Sequence, residues 1–511
     1  MTRQISARLT LENLGGQFSP ALSGDDPLSI AGVTYDSRKV GSGFAFFCIT
    51  GEMTDGNLFI KDAITSGAKI IVTEKAPEDS TIPWVVVNDV RLAMASLSAE
   101  FYGYPSRQLR VMGVTGTNGK TTTTHLIERL FNDCGKRTGL IGTLGARYSP
   151  GENYSDVKHT TPQAADLQRM LATMRDGGCS YVSMEVSSHA LAQKRVTACE
   201  FAVAVITNIT QDHLDFHKTM ENYWKSKRLL FEDLVLSTHS NKAAILNYDD
   251  PLYEQFAKAI PEKVRRLTYG WEAPADIYVK SVEWKSAGTL LTLGTPYGNV
   301  ELKLKLSGRF NVYNVMAALA VCIVEGLAID AVKQSLENFG GVAGRFEVVS
   351  TASEGEPLCI VDYAHTPDGL DNVLKAAVNV RPEGGKLIVV FGCGGDRDSS
   401  KRPQMGEIAE SHADEVVVTS DNPRSEDPQQ IIANILAGIQ RMRNVKVEAD
   451  RAAAIRQAVL NATEKDVVVI AGKGHENYQI LADRTIPFDD KSEVLKALEA
   501  RKNGAGTLNR A

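Results

Sequence analysis

The stretch Gly116-Thr117-Asn118-Gly119-Lys120-Thr121 limits this chain more than any other. An apolar run, Val111–Val114, leads into it, and apolar residues at helical spacing follow: Leu126, Ile127, Leu130 and Phe131, with Gly135 as the stop. Strand, glycine turn, helix is the layout of a phosphate-binding loop. Glycines let backbone N–H groups turn inward, the helix N-terminus adds positive potential, and lysine adds a point charge on the outer phosphates. The Thr121 hydroxyl stands where such loops ligate Mg²⁺. The strict motif needs a glycine five residues before Gly119, but Val114 is there, so this is a variant loop. Its setting between strand and helix carries the reading of nucleotide binding.

At 511 residues the chain is too long for one core. The first hundred residues read as a small mixed α/β unit, with short strands at Ala45–Ile49, Lys69–Thr73 and Trp84–Val87 and a helix near Val90–Tyr102. Tyr104-Pro105-Ser106-Arg107 reads as a linker, since proline resists helix continuation. Strands at Tyr181–Val186, Ala202–Asn208 and Ala243–Asn247 then alternate with amphipathic helices, which predicts a parallel sheet covered on both faces. Residues 265–306 look strand-rich and are expected to form a local β insertion, closed by a helix near Val312–Glu325. After Gly340-Gly341-Val342-Ala343-Gly344 a second βα series begins, with strands at Leu358–Val361, Lys386–Phe391, Glu415–Thr419, Val445–Glu448 and Val467–Ala471. The tail Asn503–Ala511 is expected to fray. The fold class is α/β, a small leading unit followed by two βα series, the second of them doubly wound.

Composition excludes several classes. An apolar fraction of 43% and a charged fraction of 23% are those of an ordinary globular protein. A net charge of −6 argues against a general nucleic-acid binder. The seven cysteines form no Cys-x-x-Cys pair and suit a reducing compartment. No apolar stretch of membrane-span or signal-peptide length is present, so a cytoplasmic location is expected.

Mg²⁺ needs a few hard oxygen ligands. Glu185 ends the apolar strand that runs into Met184-Glu185-Val186-Ser187-Ser188-His189, and ligands in open α/β sheets gather at such ends. The next strand ends in Thr207-Asn208-Ile209-Thr210-Gln211-Asp212-His213-Leu214-Asp215, from which His213 or an aspartate could reach the same metal.

Taken in order, these segments resemble one family, the Mur ligases, which build the peptide stem of bacterial peptidoglycan. Further markers are Asp36-Ser37-Arg38, Thr160-Thr161-Pro162, Gly308-Arg309-Phe310-Asn311, Gly344-Arg345, Val361-Asp362-Tyr363-Ala364-His365-Thr366-Pro367, Gly392–Arg397 and Gly472-Lys473-Gly474-His475-Glu476. The resemblance extends over nearly the whole chain. It implies three domains: a UDP-binding N-terminal domain at 1–107, a central ATPase at 108–341 and a C-terminal Rossmann-like domain at 342–511 that receives the amino acid. The implied reaction activates the γ-carboxylate of D-glutamate in UDP-MurNAc-L-Ala-D-Glu as an acyl phosphate, which an amine then attacks, releasing ADP and phosphate. The chain would act as a monomer on small molecules, with Mg²⁺.

What the resemblance implies for single residues is as follows. Lys120, Glu185 and His213 would be catalytic, with Gly116 to Thr122 (Thr122 included), Asn314, Arg345, Asp362 and His365 on ATP. Lys227, in Tyr223-Trp224-Lys225-Ser226-Lys227-Arg228, would carry a carbamate that supports a second Mg²⁺, although Lys225 and Arg228 crowd it. Thr121, Glu185, His213 and the carbamylated Lys227 would form the metal set. Tyr35, Ser37, Glu52, Met53 and Thr54 would meet the UDP-sugar, and Thr160, Thr161, Ser187, Gln193 and Arg195 the muramoyl-dipeptide. In this family Asp-Asn-Pro-Arg, here Asp421-Asn422-Pro423-Arg424, accompanies meso-diaminopimelate. A guanidinium suits the distal carboxylate that lysine lacks. Arg397, Gly472 and Glu476 would complete that pocket, Glu476 pairing an ammonium.

Overall fold

The computed structural model describes residues 5–22, 27–51, 54–78, 83–285, 288–350 and 355–508, and side chains as far as 502. Glu52 and Met53 therefore lie outside the described residues. Among the described residues, three main sheets follow one another along the chain.

The first sheet has five strands within residues 17–86, with Gly32–Thr34, Phe44–Phe47, Ala68–Thr73 and Trp84–Val86 running parallel and Gln17–Phe18 antiparallel at the edge. The helix Val90–Phe101 buries Val90, Met94, Leu97 and Phe101, and Asp89 caps it by accepting from the Leu92 N–H. The expected linker is instead a short helix, Pro105–Gln108. Proline is well suited to the first helical position, where its missing N–H costs nothing, so Pro105 starts this turn rather than ending one.

The central sheet has ten strands. Thr138–Gly142, Tyr181–Glu185, Arg110–Thr115, Phe201–Ile206, Ala243–Asn247 and Arg265–Gly270 lie in that spatial order, all parallel. Their all-buried apolar runs are those of strands covered on both faces. Ile277–Lys285, Gly288–Thr295 and Gly298–Leu304 do not form a separate insertion; Ile277–Lys285 pairs with Arg265–Gly270 and the meander lengthens the same sheet. Helices Lys120–Asp133 and Arg309–Val324 pack together on one face, in a core that includes Leu126, Leu130, Val315 and Leu319.

The third sheet has six strands, ordered Glu347–Ser350, Leu358–Asp362, Val467–Ala471, Leu387–Phe391, Glu415–Val418 and Val445–Val447. Only Glu347–Ser350 runs antiparallel. Arg451 and Asp490, both wholly buried, pair beneath it at 2.7 Å. The final helix runs from Asp490 to Leu508, so residues 503–508 are helical where fraying was expected, and 509–511 lie outside the described residues. Nothing in the sequence pattern accounts for that extension through Gly504 and Gly506.

Candidate active site

Thr115 ends its strand and Lys120 begins its helix, and the four residues between make the loop. Two glycines are required there. Gly116 has φ of 139° and an added Cβ would stand 1.8 Å from Thr207 Oγ1; Gly119 has φ of 85° and its Cβ would meet Asn314 Oδ1 at 2.4 Å. Asn314 is buried behind the loop, accepting from Thr123 Oγ1 at 3.3 Å and donating to Asn311 at 3.2 Å. Thr117 donates to the Thr210 carbonyl and accepts from the Thr210 N–H, tying the loop to the neighbouring strand end. Lys120 Nζ donates to the carbonyls of Gly116 and Thr117, at 2.9 and 2.8 Å, and burial lowers its pKa. Thr122 is buried in the first helical turn.

Glu185 is wholly buried at the end of the neighbouring strand. It accepts from the Thr121 hydroxyl at 3.1 Å and from the Thr143 hydroxyl and N–H at 3.0 and 2.9 Å. Among the described residues it has no ion-pair partner. Lys227, also buried, donates to the Gly116 carbonyl at 2.8 Å and lies over the Tyr223 ring. Burial and the nearby Lys120 push its amine well below the ordinary lysine range. His213 stands 3.2 Å from Asp212 and edge-on to His189, and burial pushes it down to about 3. Against burial, the charges of His213, His365, Lys401 and Lys120 hold Asp212 down to about 2. Among the described residues no group of three or more His, Cys, Asp or Glu stands at metal-holding spacing.

The third sheet brings its own residues to this place. Arg345 Nη2 donates to the Thr121 hydroxyl at 3.1 Å, with its guanidinium over the Tyr363 ring. Asp362 accepts from the N–H groups of Phe346 and Ala364, and burial raises its pKa to about 6. His365 bonds the Tyr363 carbonyl through Nδ1 and is pushed by burial down to about 4.

A single cavity of about 2160 Å³ joins the three sheets. It is lined by Tyr35, Ser37 and Thr54 from the first unit, by Thr160, Ser187, Gln193, Arg195 and His213 from the central one, and by Arg397, Asp421, Asn422, Arg424, Gly472 and Glu476 from the third. Tyr35 donates to Asp166 at 2.8 Å. Thr161, buried under the wall, donates to the Glu185 carbonyl, accepts from Ser187 N–H, and its carbonyl receives Arg195 Nη1. Burial and the nearby Arg91 lower Arg195 to about 10. On the wall from the third unit Arg424, in the left-handed region at φ of 52°, donates to the Gly395 carbonyl at 2.8 Å. Arg397 donates to the Asp396 carbonyl at 3.1 Å. Pro423 follows Asn422, whose amide donates to Glu476 Oε2 at 2.9 Å. Lys473, wholly buried, ties Glu476 at 3.0 Å, Asn422 at 3.1 Å and Asp421 at 3.6 Å into one network.

Three family models match this chain in sequence: one described as Mur ligase family, catalytic domain, over residues 29–102, the Mur ligase middle domain over 114–322, and the Mur ligase glutamate ligase domain over 344–474. The chain is a Mur ligase. UDP-N-acetylmuramoyl-L-alanyl-D-glutamate--2,6-diaminopimelate ligase of Halalkalibacterium halodurans is 46% identical over 92% of this chain and 95% of its own. The protein of that name from Listeria monocytogenes is 43% identical over 95% of this chain and 98% of its own. A solved structure of a ligase so named is 34% identical, with a TM-score of 0.66 over 94% of this chain and 97% of that one. The MurF ligase of Thermotoga maritima, solved with ADP, shares the fold at 21% identity, with a TM-score of 0.63 over 94% and 100% of the two chains.

In this Mur ligase several contacts have no counterpart in the sequence reading. Thr143 makes two of the three hydrogen bonds to the Glu185 carboxylate, yet it sits on a different strand end, forty-two residues away. Lys473 was visible as part of Gly472–Glu476, but its burial between two carboxylates was not.

Proposed function

We propose that this Mur ligase joins meso-diaminopimelate to the D-glutamate γ-carboxylate of UDP-MurNAc-L-Ala-D-Glu, consuming ATP and releasing ADP and phosphate. The observation that carries this is near-full-length identity of 43–46% to ligases of that name, in a chain that keeps Asp421–Arg424 and Glu476 on one cavity wall. The N-terminal unit, residues 1–107, takes the uridine end through Tyr35, Ser37, Thr54 and the segment with Glu52 and Met53. Residues 108–341 hold ATP, and residues 342–511 receive the amino acid.

A carboxylate is a poor acyl donor. Its oxygen therefore attacks the γ-phosphorus, the bridging P–O bond to ADP breaks, and an acyl phosphate forms. The diaminopimelate amine then attacks the acyl carbon, loses a proton, and the C–O bond to phosphate breaks. Thr160, Thr161, Ser187, Gln193 and Arg195 orient the dipeptide, while Lys120 and the Gly116–Thr122 backbone hold the phosphates in line. Asn314, Arg345, Asp362 and His365 serve the nucleotide from two units, and Arg345 adds charge where phosphate oxygens become more negative. Arg424 and Arg397 take the distal carboxylate of diaminopimelate, and Glu476 and Asp421 face its ammonium groups.

The donor set suits Mg²⁺. Glu185 is a buried carboxylate with no contact ion pair among the described residues, beside the Thr121 hydroxyl, with His213 at the next strand end. Lys227 suits carbamylation, because only a neutral amine reacts with CO₂ and its surroundings disfavour the charged form. When bound, the metal ions neutralise phosphate charge. A cytoplasmic monomer fits this reading, supported by the seven free cysteines; no helix among the described residues is long and apolar enough to cross a membrane.

The test is ADP release by purified protein with UDP-MurNAc-L-Ala-D-Glu and diaminopimelate, lysine or no amine. Release only with diaminopimelate is expected; equal release with lysine, or release without any amine, overturns it.

A further inference from the structure

Asn118 stands in the phosphate loop with its backbone N–H, its backbone carbonyl and its side-chain amide N–H all engaged. Its N–H donates to Asn208 Oδ1 at 3.0 Å, and its carbonyl accepts from Thr207 Oγ1 at 2.6 Å and Asn208 Nδ2 at 3.1 Å. Those partners belong to the central sheet. Its side-chain amide, however, donates to Asp368 Oδ2 at 2.6 Å, and Asp368 belongs to the third sheet unit, 250 residues downstream. The same carboxylate oxygen lies 3.5 Å from Thr210 Oγ1, on the segment that grips Thr117.

The backbone of Asp368 is set by a capped helix start. The residue lies in the first turn of the helix Pro367–Val380, which Thr366 caps by accepting from the Gly369 N–H. It comes three residues after His365, on the segment that leaves the Leu358–Asp362 strand. An acceptor fixed to one unit thus sets the side chain of a loop residue in the other. Arg345 crosses the same boundary to Thr121 two positions beyond Gly119, so the loop and its helix start are fastened at two points.

We propose that Asp368 is a positioning residue for nucleotide binding: its carboxylate fixes Asn118 when the C-terminal unit docks, making loop order and docking one event. This rests on the reading of the loop as the ATP site. A loop lacking this partner pays the ordering entropy on binding, so nucleotide affinity falls while the amino-acid pocket is unaffected.

The experiment measures Mg-ADP affinity by calorimetry for wild type, Asn118→Ala, Asp368→Ala and the double variant, and KM for ATP and for diaminopimelate. Each single change is expected to weaken Mg-ADP about tenfold, and the double variant no further than the weaker single. Asp368→Asn keeps an acceptor oxygen and should stay near wild type. The KM for diaminopimelate should not move. Wild-type affinity in Asp368→Ala, a double variant whose loss is the product of the two singles, or Asp368→Asn as weak as Asp368→Ala would each overturn the proposal. Should Asp368→Ala melt early, Asp368→Ser, which can start a helix but cannot reach Asn118, carries the same expectation. Calorimetry with ADP needs no ligation, so it judges this pairing even if diaminopimelate proved not to be the substrate.

Discussion

Arg345 reaches from the third sheet to the Thr121 hydroxyl of the central one at 3.1 Å, and that hydroxyl in turn donates to Glu185 at 3.1 Å. A cation, a hydroxyl and a buried carboxylate thus form one chain across a unit boundary. Replacing Arg345 by Met should raise KM for ATP about ten- to hundredfold and leave KM for diaminopimelate unchanged. Thr121→Ser should keep most activity and Thr121→Val lose it. Steady-state kinetics with each substrate varied checks this; equal effects on both KM values would contradict it.

Arg424 gives the complementary split. Its guanidinium is already held near the Gly395 carbonyl, so it is ordered before the amino acid arrives. Arg424→Ala or Arg424→Lys should raise KM for diaminopimelate by about tenfold or more, with little change in KM for ATP. Unchanged diaminopimelate kinetics in both variants would remove Arg424 from the pocket.

Lys227 should respond to CO₂. Stripping CO₂ from the buffer should lower activity and adding bicarbonate restore it, while Lys227→Met should be inactive and indifferent to bicarbonate. NMR with isotopically labelled bicarbonate should show a carbamate carbon in the wild type alone. Lowering the pH protonates the amine and releases CO₂, so activity should fall on the acid side. A wild type indifferent to CO₂ would leave Lys227 as a hydrogen-bond donor to Gly116 only.

Beneath the third sheet, Arg451 pairs with Asp490 while also donating to the carbonyls of Ala471 at 3.0 Å and Ser420 at 3.4 Å. Those residues directly precede Gly472 and Asp421. Asp490→Asn leaves a buried cation short of its partner and should cost about 3–5 kcal/mol in a denaturant melt. KM for diaminopimelate should rise as well, because the two strand ends lose a common anchor.

Asp233 offers a pH test away from the site. Burial, with Glu232 beside it, pushes its carboxyl up to about 7. A raised acid contributes stability fully below its unfolded pKa of about 4 and loses it as pH rises through the folded value, here about 7. Asp233→Asn should therefore stabilise the protein more at about pH 8 than at about pH 5. A thermal-melt difference that is flat across that range would contradict it.

Much of the fold was legible because buried parallel strands leave continuous apolar runs, as Phe201–Ile206 and Val467–Ala471 do. Pro105 misled because a residue that ends helices also begins them. The strands at 277–304 were legible as strands, but not as an extension of the central sheet, since edge pairing leaves no mark in local pattern. The loop and Glu185 were legible from strand ends. The roles of Thr143 and Asp368, and the burial of Lys473 against Asn422 and Asp421, were not, because each depends on partners remote in sequence.

The cavity has walls from all three units, with Arg195 on the central one and Arg424 on the third. A ligand tethering a dipeptide mimic to a diaminopimelate mimic would meet its second subsite at high effective concentration once the first was filled. Its affinity would then exceed that of either half by far more than added contact area explains. Such a molecule would act as a staple across the units, and its potency would report the spacing of the two subsites as much as the fit of either half.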